Sequence, residues 1–163
     1  IVLESAPGKG ATFHLCFARC TVSSRVSGGV TEPGVEGPRR LRVLYVDDER
    51  TITDMAAAGL RHLGWDPLAF TDAQEALAAF REAPASFDVL VTDLSMPRMD
   101  GAMLVREVRA IRPELPVVIV TGFMRSQDIE AARQAGVRHF LSKPFELDTI
   151  NRMLRSICVA KSP

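Results

Sequence analysis

From residue 41 onward the chain alternates short apolar runs with longer stretches whose apolar positions recur every three or four residues. The runs fall at residues 41–46, 65–70, 87–93, 116–120 and 137–141. The third, Phe87-Asp88-Val89-Leu90-Val91-Thr92-Asp93, is nearly continuous and rich in β-branched residues, as a strand buried on both faces of a parallel sheet requires. Between the runs, Ile52, Met55, Ala56, Leu60 and Leu63 predict the inward face of a helix closing at Gly64. Ala73, Ala76, Leu77 and Phe80 predict a second helix capped by Thr71 or Asp72, and Leu104, Val108 and Ile111 a third capped by Asp100 and stopped near Pro113. A fourth runs from Ser126 or Gln127 to Ala135 before Gly136, and Leu147, Ile150, Leu154 and Ile157 mark the fifth. Five strands alternating with five helices make a doubly wound α/β unit, (βα)5, around a mainly parallel five-stranded sheet.

The residues before 41 follow another pattern. Residues 1–18, IVLESAPGKGATFHLCFA, read as two strands joined by a Pro-Gly-Lys-Gly turn, with Thr12, His14 and Cys16 alternating against Phe13, Leu15 and Phe17. A lone hairpin is marginally stable in water, so its apolar face calls for a partner surface. Residues 19–40 are dominated by Ser, Gly, Pro, Val and Thr without periodicity, the composition of a flexible linker.

Composition narrows the function classes. With 163 residues, 47% hydrophobic and 25% charged, the chain has room for one ordinary globular domain plus about forty residues. Its net charge of zero and the lack of any Lys/Arg cluster give no reason to expect nucleic acid or an anionic membrane surface as partner. No apolar run approaches the ~18 residues of a membrane span, and no signal-peptide pattern opens the chain, so a cytoplasmic setting is expected. Beginning in mid-pattern at Ile1, the sequence reads as a fragment of something longer. Cys16, Cys20 and Cys158 form no disulfide framework, and His14, Cys16 and Cys20 lack zinc-ligand spacing.

Candidate chemistry sits at the carboxyl ends of the strands. Alone, Asp93 reads as an aspartate that ends a strand, Asp47 or Asp48 as a helix cap, Thr121 as a strand-end hydroxyl and Lys143 as a solvated charge. Together they occupy the ends of four strands of one sheet, where open α/β folds bind ligands. Three converging carboxylates repel one another unless a cation joins them, and hard oxygen ligands of this kind suit Mg²⁺ or Mn²⁺. A lysine and a hydroxyl beside them supply countercharge and a donor for phosphoryl oxygens, and a carboxylate can itself accept the phosphoryl group.

Residues 41–161 resemble the response-regulator receiver domain, through VLYVDDE, VLVTDLSMPRMDG, VVIVTG and FLSKPF in that order. The resemblance implies a flavodoxin-like receiver fold with Asp93 as phosphoacceptor. It further implies Asp48 as a direct Mg²⁺ ligand, Asp47 acting mainly through water, and the Ser95 carbonyl as another ligand. Lys143 would hold a phosphate oxygen, Thr121 would donate to another, Phe140 would move inward with Thr121, and Lys143-Pro144 would be cis. SAPGKGATFHLCF resembles the last two strands of the ATP-binding domain of sensor histidine kinases, with Ala11 where Ser or Thr is common. Both resemblances imply a hybrid histidine kinase as parent, with a kinase core or a histidine phosphotransfer domain as partner. Two rivals stand beside this: a degenerate receiver that only binds protein, and a haloacid-dehalogenase-like phosphatase, whose D-x-D arrangement the DDE of residues 47–49 does not match.

Overall fold

In the computed structural model, which describes residues 2–6, 10–14, 40–122 and 126–159, the chain divides into two units, Ile1–Glu36 and Gly37–Pro163. In the first unit, β1 (Val2–Ala6) and β2 (Gly10–His14) form the expected antiparallel hairpin, with Val2 opposite His14 and Ala6 opposite Gly10. The turn residues 7–9, Cys16, Cys20 and the proposed linker up to residue 39 lie outside the described residues.

The second unit runs β3 (Arg42–Val46), α1 (Arg50–His62), β4 (Asp66–Phe70), α2 (Ala73–Glu82), β5 (Val89–Asp93), α3 (Gly101–Ile111), β6 (Val117–Thr121), α4 (Ser126–Gln134), β7 (His139–Ser142) and α5 (Leu147–Val159), with a 3₁₀ turn at Pro84–Ser86. The five strands form one parallel sheet in the order β4-β3-β5-β6-β7. This is the flavodoxin-like order that the resemblance to receiver domains implies. Side chains alternate across the sheet and split the core in two. Leu44, Val46, Leu90 and Ile119 pack with Phe80 of α2 and with Leu104 and Val108 of α3. Val43, Tyr45, Val91, Val118 and Val120 pack with Leu60 of α1 and with Ile150, Leu154 and Ile157 of α5. Burial of each such side chain contributes about 1.5–3 kcal/mol.

Local chemistry fixes the helix ends. Asp72 caps α2, its Oδ1 accepting the backbone N–H of Gln74 at 2.7 Å, and Asp100 caps α3 through Met103 at 2.7 Å. α1 begins after Glu49 with no side-chain cap, so neither Asp47 nor Asp48 takes the capping role open to it from sequence. α1 and α4 both end with a left-handed glycine, Gly64 at φ 88° and Gly136 at φ 84°. In each case the glycine N–H and the next one return to helix carbonyls, as in the Schellman motif.

The structure corrects four expectations. Met55, Ile111 and Leu147 are exposed rather than inward. The inward stripe of α1 is Thr53, Ala56, Ala57 and Leu60; Thr53 is tolerated there because its hydroxyl donates to the Asp47 carbonyl at 2.7 Å. The last strand begins at His139, not residue 137, because the Val137 N–H closes α4 by donating to Ala132 at 3.0 Å.

One glycine is set by close approach. A Cβ on Gly101 would stand 2.1 Å from the Asp93 carbonyl oxygen, and the Gly101 N–H donates to the Leu94 carbonyl at 2.9 Å. The start of α3 is thereby seated on the end of β5. Gly101→Ala is expected to lower stability by about 2 kcal/mol, because overpacking outweighs the ~1 kcal/mol that alanine gains in helix propensity. Thermal unfolding checks this; an unchanged melting temperature would mean that the seat is not tight.

Candidate functional site

The sheet order reverses between β3 and β5, since β4 lies on one side of β3 and β6 and β7 lie beyond β5. Chains leaving β3 and β5 turn to opposite faces there and open a crevice at their carboxyl ends. Asp47 follows β3 and Asp93 ends β5, so both stand at that crevice. Both are buried, whereas Asp48 is exposed beside them. Each of the three offers a carboxylate oxygen, all within 4.8 Å of one another.

Lys143, just after β7, reaches across from the other side. Its Nζ donates to Asp47 Oδ2 at 2.6 Å and to Asp93 Oδ2 at 2.9 Å. The register explains the reach: Thr121 pairs with Ser142, and the Lys143 N–H donates to the Thr121 carbonyl at 2.9 Å, so the lysine starts level with the end of β6. Burial alone pulls the ammonium down, but hydrogen bonds to Asp47 and Asp93 and their negative charges together hold Lys143 above its ordinary value. Tyr45, two residues before Asp47 on β3, is pushed up by burial first and then by the charges of Asp47 and Asp93, so its phenol stays neutral.

Asp93 is held on both oxygens. Oδ1 accepts the Leu94 N–H at 2.6 Å and, more weakly, the Ser95 N–H at 3.4 Å, while Oδ2 faces Lys143. Thr121 is buried at the end of β6, and Ser95 is exposed on the loop after β5. Phe140 on β7 is half-buried against the core layer under α2 and α3, and the Lys143-Pro144 peptide is cis. In the loop after Asp93, Arg98 takes a left-handed conformation at φ 66° and pairs with Asp72, tying this loop to the start of α2.

Asp47, Asp48, Asp93 and Lys143 thus converge, with Thr121 and Ser95 at the adjoining strand end and loop. Phe140 stands away from the carboxylates, on β7. Thr53 was not legible as part of this neighbourhood: a threonine among apolar helix positions carries no signal until its hydroxyl is seen on the Asp47 carbonyl. The donor set fits a hard divalent cation, since all three carboxylates present oxygens to one small volume.

Comparison with known proteins agrees with this geometry. The chain is 33% identical over 117 residues to the transcriptional regulatory protein TrcR of Mycobacterium tuberculosis, which covers 72% of this chain and 45% of that protein. It is 31% identical over 157 residues to the sensor protein EvgS of Escherichia coli, covering 95% of this chain and 13% of that one. The crystal structure of a response regulator receiver domain protein from Clostridium thermocellum superposes with a TM-score of 0.70 at 29% identity, covering 74% of this chain and 96% of that one. Such domains take up phosphoryl groups with Mg²⁺ at an acidic pocket, and the family profile described as "Response regulator receiver domain" matches residues 43–155. With its fold, its acidic crevice and most of its length in agreement, the chain belongs to the response regulator receiver domain family.

Proposed function

We propose that this chain is a phosphoacceptor whose Asp93 takes a phosphoryl group from a phosphohistidine. The observation that carries the reading is the triple contact of Asp47, Asp93 and Lys143 at one crevice, with Asp48 beside it. An Asp93 carboxylate oxygen attacks phosphorus, the phosphorus–nitrogen bond breaks, and the histidine leaves as imidazole. The oxygen turned toward Lys143 is the one poised to attack, because Oδ1 is anchored by the Leu94 N–H. Lys143 then shifts from the carboxylate to a phosphoryl oxygen, and Thr121 donates to another. Asp48, Asp47 through water, Asp93 and the Ser95 carbonyl would hold Mg²⁺ (or Mn²⁺). When bound, the ion supplies charge that offsets the carboxylates and the incoming phosphoryl oxygens.

The new charge on Asp93 draws Thr121 inward, and Phe140 follows, which shifts a surface built from α4, β7 and α5 between two states. The hairpin, residues 1–18, is the remnant of a kinase ATP-binding domain and residues 19–40 a linker, so the parent is a hybrid histidine kinase. EvgS, a sensor protein matched over 95% of this chain, supports that organisation. The relay runs in the cytoplasm; among the described residues no helix is long and apolar enough to cross a membrane. Incubation with acetyl phosphate and Mg²⁺ tests the reading: one phosphoryl group per chain, on Asp93, is expected. Sustained turnover of a phosphate ester would favour the phosphatase instead, and no labelling a receiver that only binds protein.

The donor's approach also leaves a signature. Ile52, Met55, Pro144, Phe145 and Leu147 line an apolar strip that runs up to Lys143. A histidine-bearing helix of a kinase core or phosphotransfer domain seated there would bring its phosphoryl group to Asp93. Met55→Glu is expected to slow labelling by a phosphohistidine protein by about tenfold or more, the loss of one apolar anchor. Labelling by acetyl phosphate should stay within about twofold, because Met55 is exposed and off the crevice. Equal slowing with both donors would place the effect on Asp93 rather than on docking.

A further inference from the structure

At the opposite, amino-terminal end of the sheet lies a second cavity of about 720 Å³, formed where α3, α4 and α5 end and β6 and β7 begin. Its lining is half apolar, from Pro113, Leu115, Val137 and Ile157, and basic, from Arg109, Arg133 and Arg138, with His139 beside them. We propose that this cavity is a binding site for a phosphate ester of about nucleotide size, its phosphates on Arg109 and Arg138 and its organic part on the apolar wall.

Three observations carry the inference. First, the charges are unmatched. No ion pair holds Arg109, Arg133 or Arg138 among the described residues, whereas Arg81 pairs with Glu107 at 2.7 Å and Arg98 with Asp72. The one carboxylate lining the cavity, Glu114, is engaged by Arg112 at 2.9 Å. Second, Arg109 Nε is buried and has no hydrogen-bond partner. A buried donor left without a partner is costly, and an anion reaching it would recover that cost. The guanidinium is pressed so closely on Gly136 that a Cβ there would meet Nη1 at 2.4 Å. Third, like charges crowd the space: burial first and then Arg138 lower both Arg109 and His139.

Helix C-termini favour cations, which accounts for Arg109 in the last turn of α3 and Arg133 in that of α4. It does not account for Arg138, which lies outside any helix, or for the unpaired Nε. The guanidinium fork matches phosphate geometry, and the volume is that of ordinary small-molecule sites. A bound ligand would brace the end of α3 against the α4–β7 connection, directly before Phe140.

The test uses the full chain in EDTA, so that no divalent ion recruits phosphate to the acidic crevice. Inorganic pyrophosphate, uridine diphosphate and uridine are titrated while backbone and arginine side-chain NMR signals are followed. Saturable shifts at Arg109, Gly136 and Arg138 are expected, with uridine diphosphate binding more tightly than pyrophosphate and uridine not at all. Arg138→Glu and Arg109→Gln should each weaken binding about tenfold or more, the loss of one charge-assisted fork. Arg138 is exposed, and its variant should still be labelled on Asp93, which shows that the fold is intact. Shifts that fail to saturate, that persist equally in both variants or that cluster at Asp47 and Asp93 would overturn the proposal. So would binding of an oligoglutamate peptide in place of the diphosphates, which would make the cavity a docking face for acidic protein.

Discussion

Asp93→Asn is expected to abolish phosphoryl uptake from both acetyl phosphate and a phosphohistidine protein, a loss on the order of a thousandfold or more for removal of a nucleophile. Asparagine keeps the shape of the side chain, and its amide oxygen can still accept the Leu94 N–H that Asp93 Oδ1 takes at 2.6 Å. What goes is the anionic oxygen facing Lys143 at 2.9 Å, the only one of the pair free of backbone donors. The same change thins the carboxylate cluster, and Lys143 keeps Asp47 at 2.6 Å. Thermal stability without metal should therefore hold or rise while labelling disappears. Intact-protein mass spectrometry and thermal unfolding read the two effects separately. Residual labelling of Asp93→Asn at the wild-type level would move the acceptor elsewhere, with Asp48, exposed beside it, the first place to look.

Strand identity was legible because buried parallel strands need unbroken apolar runs, and these stood out at residues 41–46, 87–93 and 116–120; sheet order followed only from the resemblance to receiver domains. The acidic crevice was legible too, since each of its groups sits at the end of such a run and the topology brings those ends together. Helix facing was less legible. Met55 and Leu147 keep apolar spacing yet lie exposed, because a 3.6-residue period cannot separate the middle of a buried stripe from its margin. The functional reading gives that margin a use, as the apolar strip beside Lys143. The seat of Gly101 against Asp93 depends on a backbone approach from an element eight residues away, which no local pattern reports. The basic cavity was hidden more thoroughly: Arg109, Arg133 and Arg138 are scattered through the sequence, the net charge is zero, and only folding gathers them.

Lys143→Met is the sharpest probe of how the crevice is held together. In the wild type one ammonium joins two buried carboxylates, whose side chains are 1% and 11% exposed. Methionine keeps the length of the stem and leaves Asp47 and Asp93 facing each other with no cation between them. Breaking one side of a buried ion pair costs about 3–5 kcal/mol, and the lower figure applies here because Lys143 lies at the rim, 17% exposed. A loss of about 3 kcal/mol is expected at neutral pH without metal. The pH dependence has a definite sign. Since Lys143 is raised on folding, its contribution is fully present below the ordinary lysine value and is lost as pH climbs through the higher folded-state value. The gap between wild type and variant should be flat through neutrality and close only on the alkaline side. Adding Mg²⁺ should restore much of the missing stability, because a divalent ion can take over the charge that the lysine supplied. Denaturant unfolding with and without Mg²⁺, across pH, measures all three effects. A gap that ignores Mg²⁺ and does not close at high pH would mean that Lys143 acts by packing its stem, and that the two carboxylates do not need a cation between them.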